Sequence, residues 1–455
     1  MTSRRDQLQS YQFMNQRVIS AFVVRETDPA QSPLRRGIGA LFAGLMVAVL
    51  VAAGFGIYGV FTRTGPDRWQ TDGSVVVERE TGASFVYLRD KLHPALNLTS
   101  AKLAAGRPAP QVFRIAAKSL TGVPRGVTIG IAGAPSSLPE AKQQVRLPWT
   151  MCAIPGDQPS AVLVVGGTGP PGAALGDRAL LVAGDGGGGA NLVWQGRKHL
   201  IRNARTTVAA LFGAVQPTRV GVAWLNALPA GADIAPVDVD DRGQESDAAA
   251  AFDNGDVLVV ETGSGRQFYL VLADRLAPIT PLQQAVLAAA FPGEPRQIPV
   301  SDLDPDAVQD LDPGADPAVQ GPKEVPALAT VAAGETGCAI TRDAAAPPDV
   351  TVGGPAADLA AAVPTGGATG GGGRALADAV QVPGGRFALV RVAGGLQLIT
   401  DAGVRHPLSD PDVAALLGYP PETAIDVPAA LVNAVPAGVT LDPAEAVKPV
   451  PPTAE

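Results

Sequence analysis

The chain has 455 residues, a formal net charge of −8, 46% hydrophobic and 17% charged residues, and 5% aromatics. These values exclude a disordered polymer and a single small core, and they leave no polybasic surface for nucleic acid. With 53 glycines and 42 prolines, many short strands joined by turns are expected, in two or more domains.

Between Asp6 and Arg25, Leu8, Tyr11, Val18, Ile19 and Phe22 fall close to helical spacing and predict an amphipathic helix. Arg17 and Arg25 are the only arginines between Asp6 and Arg35, whereas helices that lie on membranes carry densely basic polar faces. Docking on a protein partner through Tyr11, Phe13, Arg17 and Phe22 is therefore expected, because aromatic anchors concentrate interface energy. From Ile38 to Phe61 no charge occurs. As a helix this run would cover about 36 Å, enough to cross a hydrocarbon core of about 30 Å. It ends in bulky residues without a small-residue cleavage site, which predicts an uncleaved single-pass anchor at 38–61. Six arginines against three acidic residues precede it, placing 1–37 in the cytoplasm and the chain from 62 outside the plasma membrane.

The two cysteines, Cys152 and Cys338, both lie on that outer side, where disulfides persist. Bonded, they would close a long loop and stabilise the fold by about 5 kcal/mol in the loop-entropy model. Two separately buried thiols are the alternative, and the lack of C-x-x-C argues against a redox pair.

One pattern recurs along the outer region: strand, Gly turn, strand, charged turn, then an Ala/Leu helix closing in Gly. The charged turn and helix start read D-K-L-H-P at Asp90–Pro94, G-R-K-H-L at Gly196–Leu200, D-R-L-A-P at Asp274–Pro278 and G-V-R-H-P at Gly403–Pro407. Gly106, Gly213, Gly293 and Gly418 close the helices. Repeats are thus expected near 75–106, 179–213, 256–293 and 380–418, around a core drawn from 107–178, 294–360 and flanking strands. His93, His199 and His406 occupy one repeat position, which argues for a structural role, since a metal or catalytic site needs dissimilar residues converging in one place. A coarser duplication returns L-N-A-L-P-A-G (Leu225–Gly231) as V-N-A-V-P-A-G (Val432–Gly438), so two pseudo-symmetric halves are expected, pinned by the disulfide. Asp302–Pro326 and Thr365–Gly373 read as loops, and 442–455 as a flexible tail after a region spanning 62–441. The fold class is α+β.

The Gly-rich strings at Gly166–Gly172 and Gly184–Gly189 lack the Lys and Ser/Thr of a phosphate loop, and no lysine of the chain follows a glycine. No G-x-S-x-G elbow occurs, and Asp238, Asp240 and Asp241 lack the Gly and distal Glu of a calcium loop. No catalytic, cofactor or metal residue is assigned, and a scaffold is the favoured reading.

The stretch R-D-Q-L-Q-S-Y-Q-F-M-N-Q-R-V-I-S-A-F-V (Arg5–Val23), then P-L-R-R (Pro33–Arg36), I-A-G-A-P-S-S-L-P (Ile131–Pro139), W-T-M-C (Trp149–Cys152) and N-A-V-P-A-G-V-T-L-D-P-A (Asn433–Ala444), resembles EccB proteins of actinobacterial type VII (ESX) secretion systems in the same order. The resemblance implies a structural subunit of a membrane complex that exports folded helical effectors. Its implied partners are EccC, an FtsK-like ATPase, with EccD, EccE and a mycosin protease outside. It also implies a central sheet flanked by four modules similar to phage-lysin cell-wall-binding repeats, and self-association and contact with the cell wall are compatible with it. ATP hydrolysis is sometimes ascribed to the family, but these residues carry no nucleotide motif. A cell-wall-binding anchor or sensor and a membrane-tethered ATPase are the alternatives.

Overall fold

The structure, a computed structural model, describes residues 3–23, 25, 34–61 and 68–451, apart from 186, 188, 264, 313, 315, 367–368 and 371–373. It is an α+β arrangement that divides into residues 1–69 and residues 70–455.

The first unit holds two helices, Arg4–Val23 and Leu34–Phe61. The second is continuous over 28 residues. Its side chains are described from Gly39 to Phe55, where Leu41, Phe42, Leu45, Met46, Leu50 and Phe55 all stand exposed. Among the described residues no helix is long and apolar enough to cross a membrane. The expected anchor at 38–61 reaches beyond those side chains at both ends, and the linker 26–33 lies outside the described residues.

The second unit is built around a seven-stranded sheet in the order Val363–Pro364, Ala379–Gln381, Ser160–Val164, Trp149–Ile154, Glu335–Thr341, Asp349–Pro355, Ala173–Ala174. Neighbours run antiparallel except Ala379–Gln381 beside Ser160–Val164. Strand side chains alternate between faces. Trp149, Met151, Ala153 and Leu163 therefore enter the largest core cluster, while Cys152, Val162, Val164 and Cys338 pack with Leu359 on the other face. Both outer strands are two residues long, which leaves little free edge for unwanted pairing.

Four smaller sheets share one strand order. In the first, Ser74–Glu78, Ser84–Leu88 and Lys91–Ala95 pair antiparallel, the helix Leu98–Ala104 follows, and Val112–Ile115 returns parallel to the first strand. The second repeats this with Ala179–Gly184, Ala190–Trp194, Arg197–Leu200, helix Ala204–Phe212 and Thr218–Val220. The third uses Val257–Thr262, Gly265–Val271, Leu276–Ile279, helix Pro281–Ala290 and Arg296–Gln297. The fourth uses Phe387–Val392, Gly395–Thr400, Arg405–Pro407, helix Val413–Leu417 and Ile425–Asp426.

Two sequence expectations are corrected here. The segments expected as a charged turn and helix start are the third strand of each sheet, where Pro94, Pro278 and Pro407 sit. Proline cannot donate to a ladder but is tolerated on a strand with a free side. The expected tail is ordered through residue 450: Asp442 caps the helix Pro443–Ala446, Ala446 is fully buried, and the Val450 amide donates to the Thr128 carbonyl at 2.9 Å. An Asp N-cap followed by Pro at the first helical position starts a helix even in a proline-rich stretch. Residues 452–455 lie outside the described residues.

The small sheets pack in pairs that interleave the halves of the chain. Leu103 of the first meets Phe387, Val413, Leu417 and Tyr419 of the fourth in one cluster, while Ile201 and Val208 of the second meet Leu282 and Val286 of the third. Lys102 reaches from the first sheet's helix to the Leu417 carbonyl at the end of the fourth sheet's helix, 2.8 Å away, where a cation complements the helix dipole.

Candidate functional site

The central sheet brings the two cysteines together. Cys152 and Cys338 are register partners on adjacent antiparallel strands, one from each half, with Cα atoms 4.0 Å apart and a disulfide between them. Both side chains are buried, against Leu359 and Val162. The sequence separation of 186 residues thus becomes a direct neighbour pair.

The three histidines serve the edges of three small sheets. After each sheet the chain returns and runs parallel to the sheet's third strand, through single bridges at Leu92 to Arg125, Lys198 to Ala230, Leu276 to Val308 and Arg405 to Ala437. This return segment covers the edge that the third strand would expose. His93 Nδ1 lies 3.1 Å from the Val127 carbonyl oxygen, His199 Nδ1 2.8 Å from that of Ala232, and His406 Nδ1 3.0 Å from that of Val439. A carbonyl can only accept, so Nδ1 carries the proton and each ring is the donor. Each ring also lies over a glycine of the return segment, Gly126, Gly231 and Gly438, where a β-carbon would enter the imidazole. The last two are the closing glycines of the duplicated L-N-A-L-P-A-G and V-N-A-V-P-A-G strings. In the third sheet Ala277 stands at the histidine position, and Gln309 makes the amide bond to Leu276 that the glycines make elsewhere. Burial holds His199 and His406 below the ordinary imidazole range.

On the N-terminal helix Arg17 lies 5.6 Å from the Phe13 ring centroid, a cation–π pair one turn apart. Tyr11 and Phe22, 70% and 87% exposed, are eleven residues apart. At about 100° per residue they share a face, and Phe13 with Arg17 points to the opposite side. The four residues expected to dock a partner therefore form two faces rather than one.

Among the described residues no group of three or more His, Cys, Asp or Glu is placed to hold a metal. An open cleft of about 600 Å³ is lined by Asp177, Trp194, Arg197, Pro317, Lys323 and Pro347, with charges of both signs at its walls. A second groove of about 520 Å³ runs between the Gly-rich turn at Gly184–Gly189 and the helix Ala204–Phe212, with Arg205 as its one charged lining residue. Sequence reasoning missed the return segments. Their signal was the glycine that follows each histidine after a nearly constant interval.

The model of the family "Type VII secretion system ESX-1, transport TM domain B" matches residues 1–450. The chain belongs to the EccB family. It is 28% identical over 301 residues to a Mycolicibacterium smegmatis protein named "ESX-3 secretion system ATPase EccB3", covering 62% of this chain and 56% of that protein. To the "ESX-5 secretion system ATPase EccB5" of Mycobacterium marinum it is 30% identical over 324 residues, covering 66% of this chain and 61% of that protein. The chain thus spans somewhat more than half the length of these curated relatives. A solved chain described as an EccB3 dimer from the ESX-3 core complex has the same fold, with TM-score 0.63, 25% identity, and coverage of 82% of this chain and 100% of that one. A chain of an intact ESX-5 inner membrane complex shares the fold at TM-score 0.64 and 24% identity, over 100% of this chain and 97% of that one.

Proposed function

We propose that this EccB-family chain is a structural subunit of a type VII secretion complex in the plasma membrane, holding its channel machinery together without performing the transport chemistry. The observation that carries this reading is the construction of residues 70–455, in which a return segment bridges the third strand of each of the four sheets and the halves are joined by interleaved packing and a buried disulfide. Such a body offers rigid surfaces rather than convergent reactive groups. The four sheets share one order of four strands, to which the second adds Leu328–Ala329 beside Ala179–Gly184, and are read as copies of one repeat module.

In this reading the helix Leu34–Phe61 is the membrane anchor, supported by its 28-residue length, the uncharged run from Ile38 to Phe61, and the row of large apolar side chains it leaves exposed. The N-terminal helix is cytoplasmic and residues 70–455 face outward. EccC, EccD, EccE, a mycosin and a second copy of the chain are the proposed partners. The test is co-purification: the tagged full chain, extracted from membranes in mild detergent, should bring down an FtsK-like ATPase and polytopic partners, and recovery of the chain alone would overturn the proposal. The relatives bear the word ATPase in their names. ATP hydrolysis by the purified full chain that vanished on one defined point mutation would replace the scaffold with an enzyme.

A further inference from the structure

The histidine–glycine pairs bear on how firmly each return segment is held, and hence on the stability of the edges that the scaffold reading requires. We propose that His199 and His406 are acid-sensitive latches: as neutral imidazoles they clamp their return segments onto the edge strands, and acidification of the outer space releases those segments.

The geometry sets the preference for the neutral form. His199 is fully buried, donates from Nδ1 to the Ala232 carbonyl, and among the described residues has no hydrogen-bond partner at Nε2. A second proton would go to Nε2, adding a buried N–H donor for which the described residues offer no acceptor. The surroundings confirm the cost. On its own strand lie Arg197, whose charge disfavours protonation, and Lys198, whose ammonium is tied to the Leu225 carbonyl at 2.9 Å. On the return segment Asp233 favours protonation, but its carboxylate is paired with Arg202 at 2.7 Å. On the neighbouring strand Trp194 stands 6.4 Å away, ring to ring. A β-carbon at Gly321 would stand 3.7 Å from the ring's Nδ1, in a segment that continues into Lys323 and Glu324.

His406 is buried likewise and donates to the Val439 carbonyl. Its return segment brings Gly438 and Val439, and the strand Gly395–Thr400 brings Leu398 as its register partner, so neither supplies a carboxylate. On its own strand Arg405 is occupied by Gln397 and the Val435 carbonyl. Burial is the leading cause that lowers both imidazoles.

The sign follows from linkage. A group whose folded pKa is depressed keeps its contribution above the unfolded value near 6.5, and loses it as pH falls through the folded value below that. Each released histidine then takes up one proton. The opening equilibrium of its segment should rise by up to about tenfold per pH unit within that window.

The molecule contains its own control. The third sheet has Ala277 in place of histidine, with Gln309 bonded to the Leu276 carbonyl at 3.1 Å, so its return segment has no latch to titrate. The experiment is hydrogen exchange of the full chain in detergent, read by mass spectrometry at about pH 7.5 and about pH 5.5 after correction for intrinsic exchange. The amides of Gly231, Ile234, Gly438 and Leu441, which bond to the edge strands at 2.8 to 2.9 Å, should lose protection at the lower pH severalfold, up to about tenfold, while Gln309 keeps its own. Unchanged protection at all sites, or an equal loss at Gln309, would overturn the proposal. The double variant H199N/H406N keeps a side-chain amide donor near the Nδ1 position and removes the titration. It should show no acid-dependent loss at these amides, and a folded variant that still lost protection would equally defeat the latch.

Discussion

Gly438 lies so close beneath His406 that a β-carbon at that position would stand 2.5 Å from the ring's Cε1 atom. The same relation joins His199 to Gly231 and His93 to Gly126, and where the histidine is replaced by Ala277 the glycine position is filled by Gln309. At each of the three histidine sites the imidazole occupies the space that a β-carbon on the glycine would need. G438A should therefore destabilise the full chain by about 1–3 kcal/mol through overpacking. The pair G438A/H406A should be less destabilised than the sum of its single changes, because the clash has gone. A double-mutant cycle on melting of the full chain checks this, and strict additivity would refute the steric coupling.

The disulfide joins strands that are already register partners, so the folded state needs it little, and its effect should fall mainly on the unfolded chain. Cys152→Ser alone should lower the melting temperature about as much as Cys152→Ser with Cys338→Ser, by an amount corresponding to at most about 5 kcal/mol. Because both sulfurs are buried, reductant should act only after the central sheet opens. Two free thiols detected by mass spectrometry in non-reduced, folded protein would contradict the bond.

The N-terminal helix presents Tyr11 with Phe22 on one face and Phe13 with Arg17 on the other. A protein partner gripping one face should distinguish the two pairs. If docking uses the more exposed face, truncating Tyr11 and Phe22 to Ala should reduce co-purification of partners at least tenfold, since aromatic anchors commonly contribute about 2 kcal/mol or more each. Arg17→Glu should have a smaller effect. Assembly at wild-type level by a chain lacking residues 1–30 would show that the helix docks nothing.

What the sequence disclosed was set by pattern strength. The uncharged run to Phe61, the apolar central strands such as Ser160–Val164, and the recurring histidines were all legible because periodicity or repetition marks them. The third strands were misread because Lys91, His93 and Pro94 look like a turn, whereas an edge strand tolerates them. The fourth strands are four residues or fewer and carry no apolar run. The return segments have no regular pattern of their own, since their bonds are single bridges whose partners lie about 33 residues away. Chain halves interleave through contacts such as Lys102 with Leu417, which no local signal announces.

Tyr419 offers a way to probe that interleaving. Its ring stacks on Phe387 at 4.2 Å, within the cluster shared by the first and fourth sheets, and its hydroxyl donates to the Pro139 carbonyl at 2.8 Å. Removing only the hydroxyl, in Tyr419→Phe, should cost about 1 kcal/mol, whereas Tyr419→Ala also empties the stacked site and should cost about 3–5 kcal/mol. The pH dependence separates the two contributions. Burial raises the phenol far above its ordinary value of 10, so above that pH the unfolded chain gives up a proton that the folded chain keeps. Stability should then fall as pH rises past 10, and this part of the fall should be missing in Tyr419→Phe. Melting curves of the full chain and the variant on either side of that pH measure the difference. Parallel losses in both proteins would mean that the hydroxyl is not held in the buried bond to Pro139.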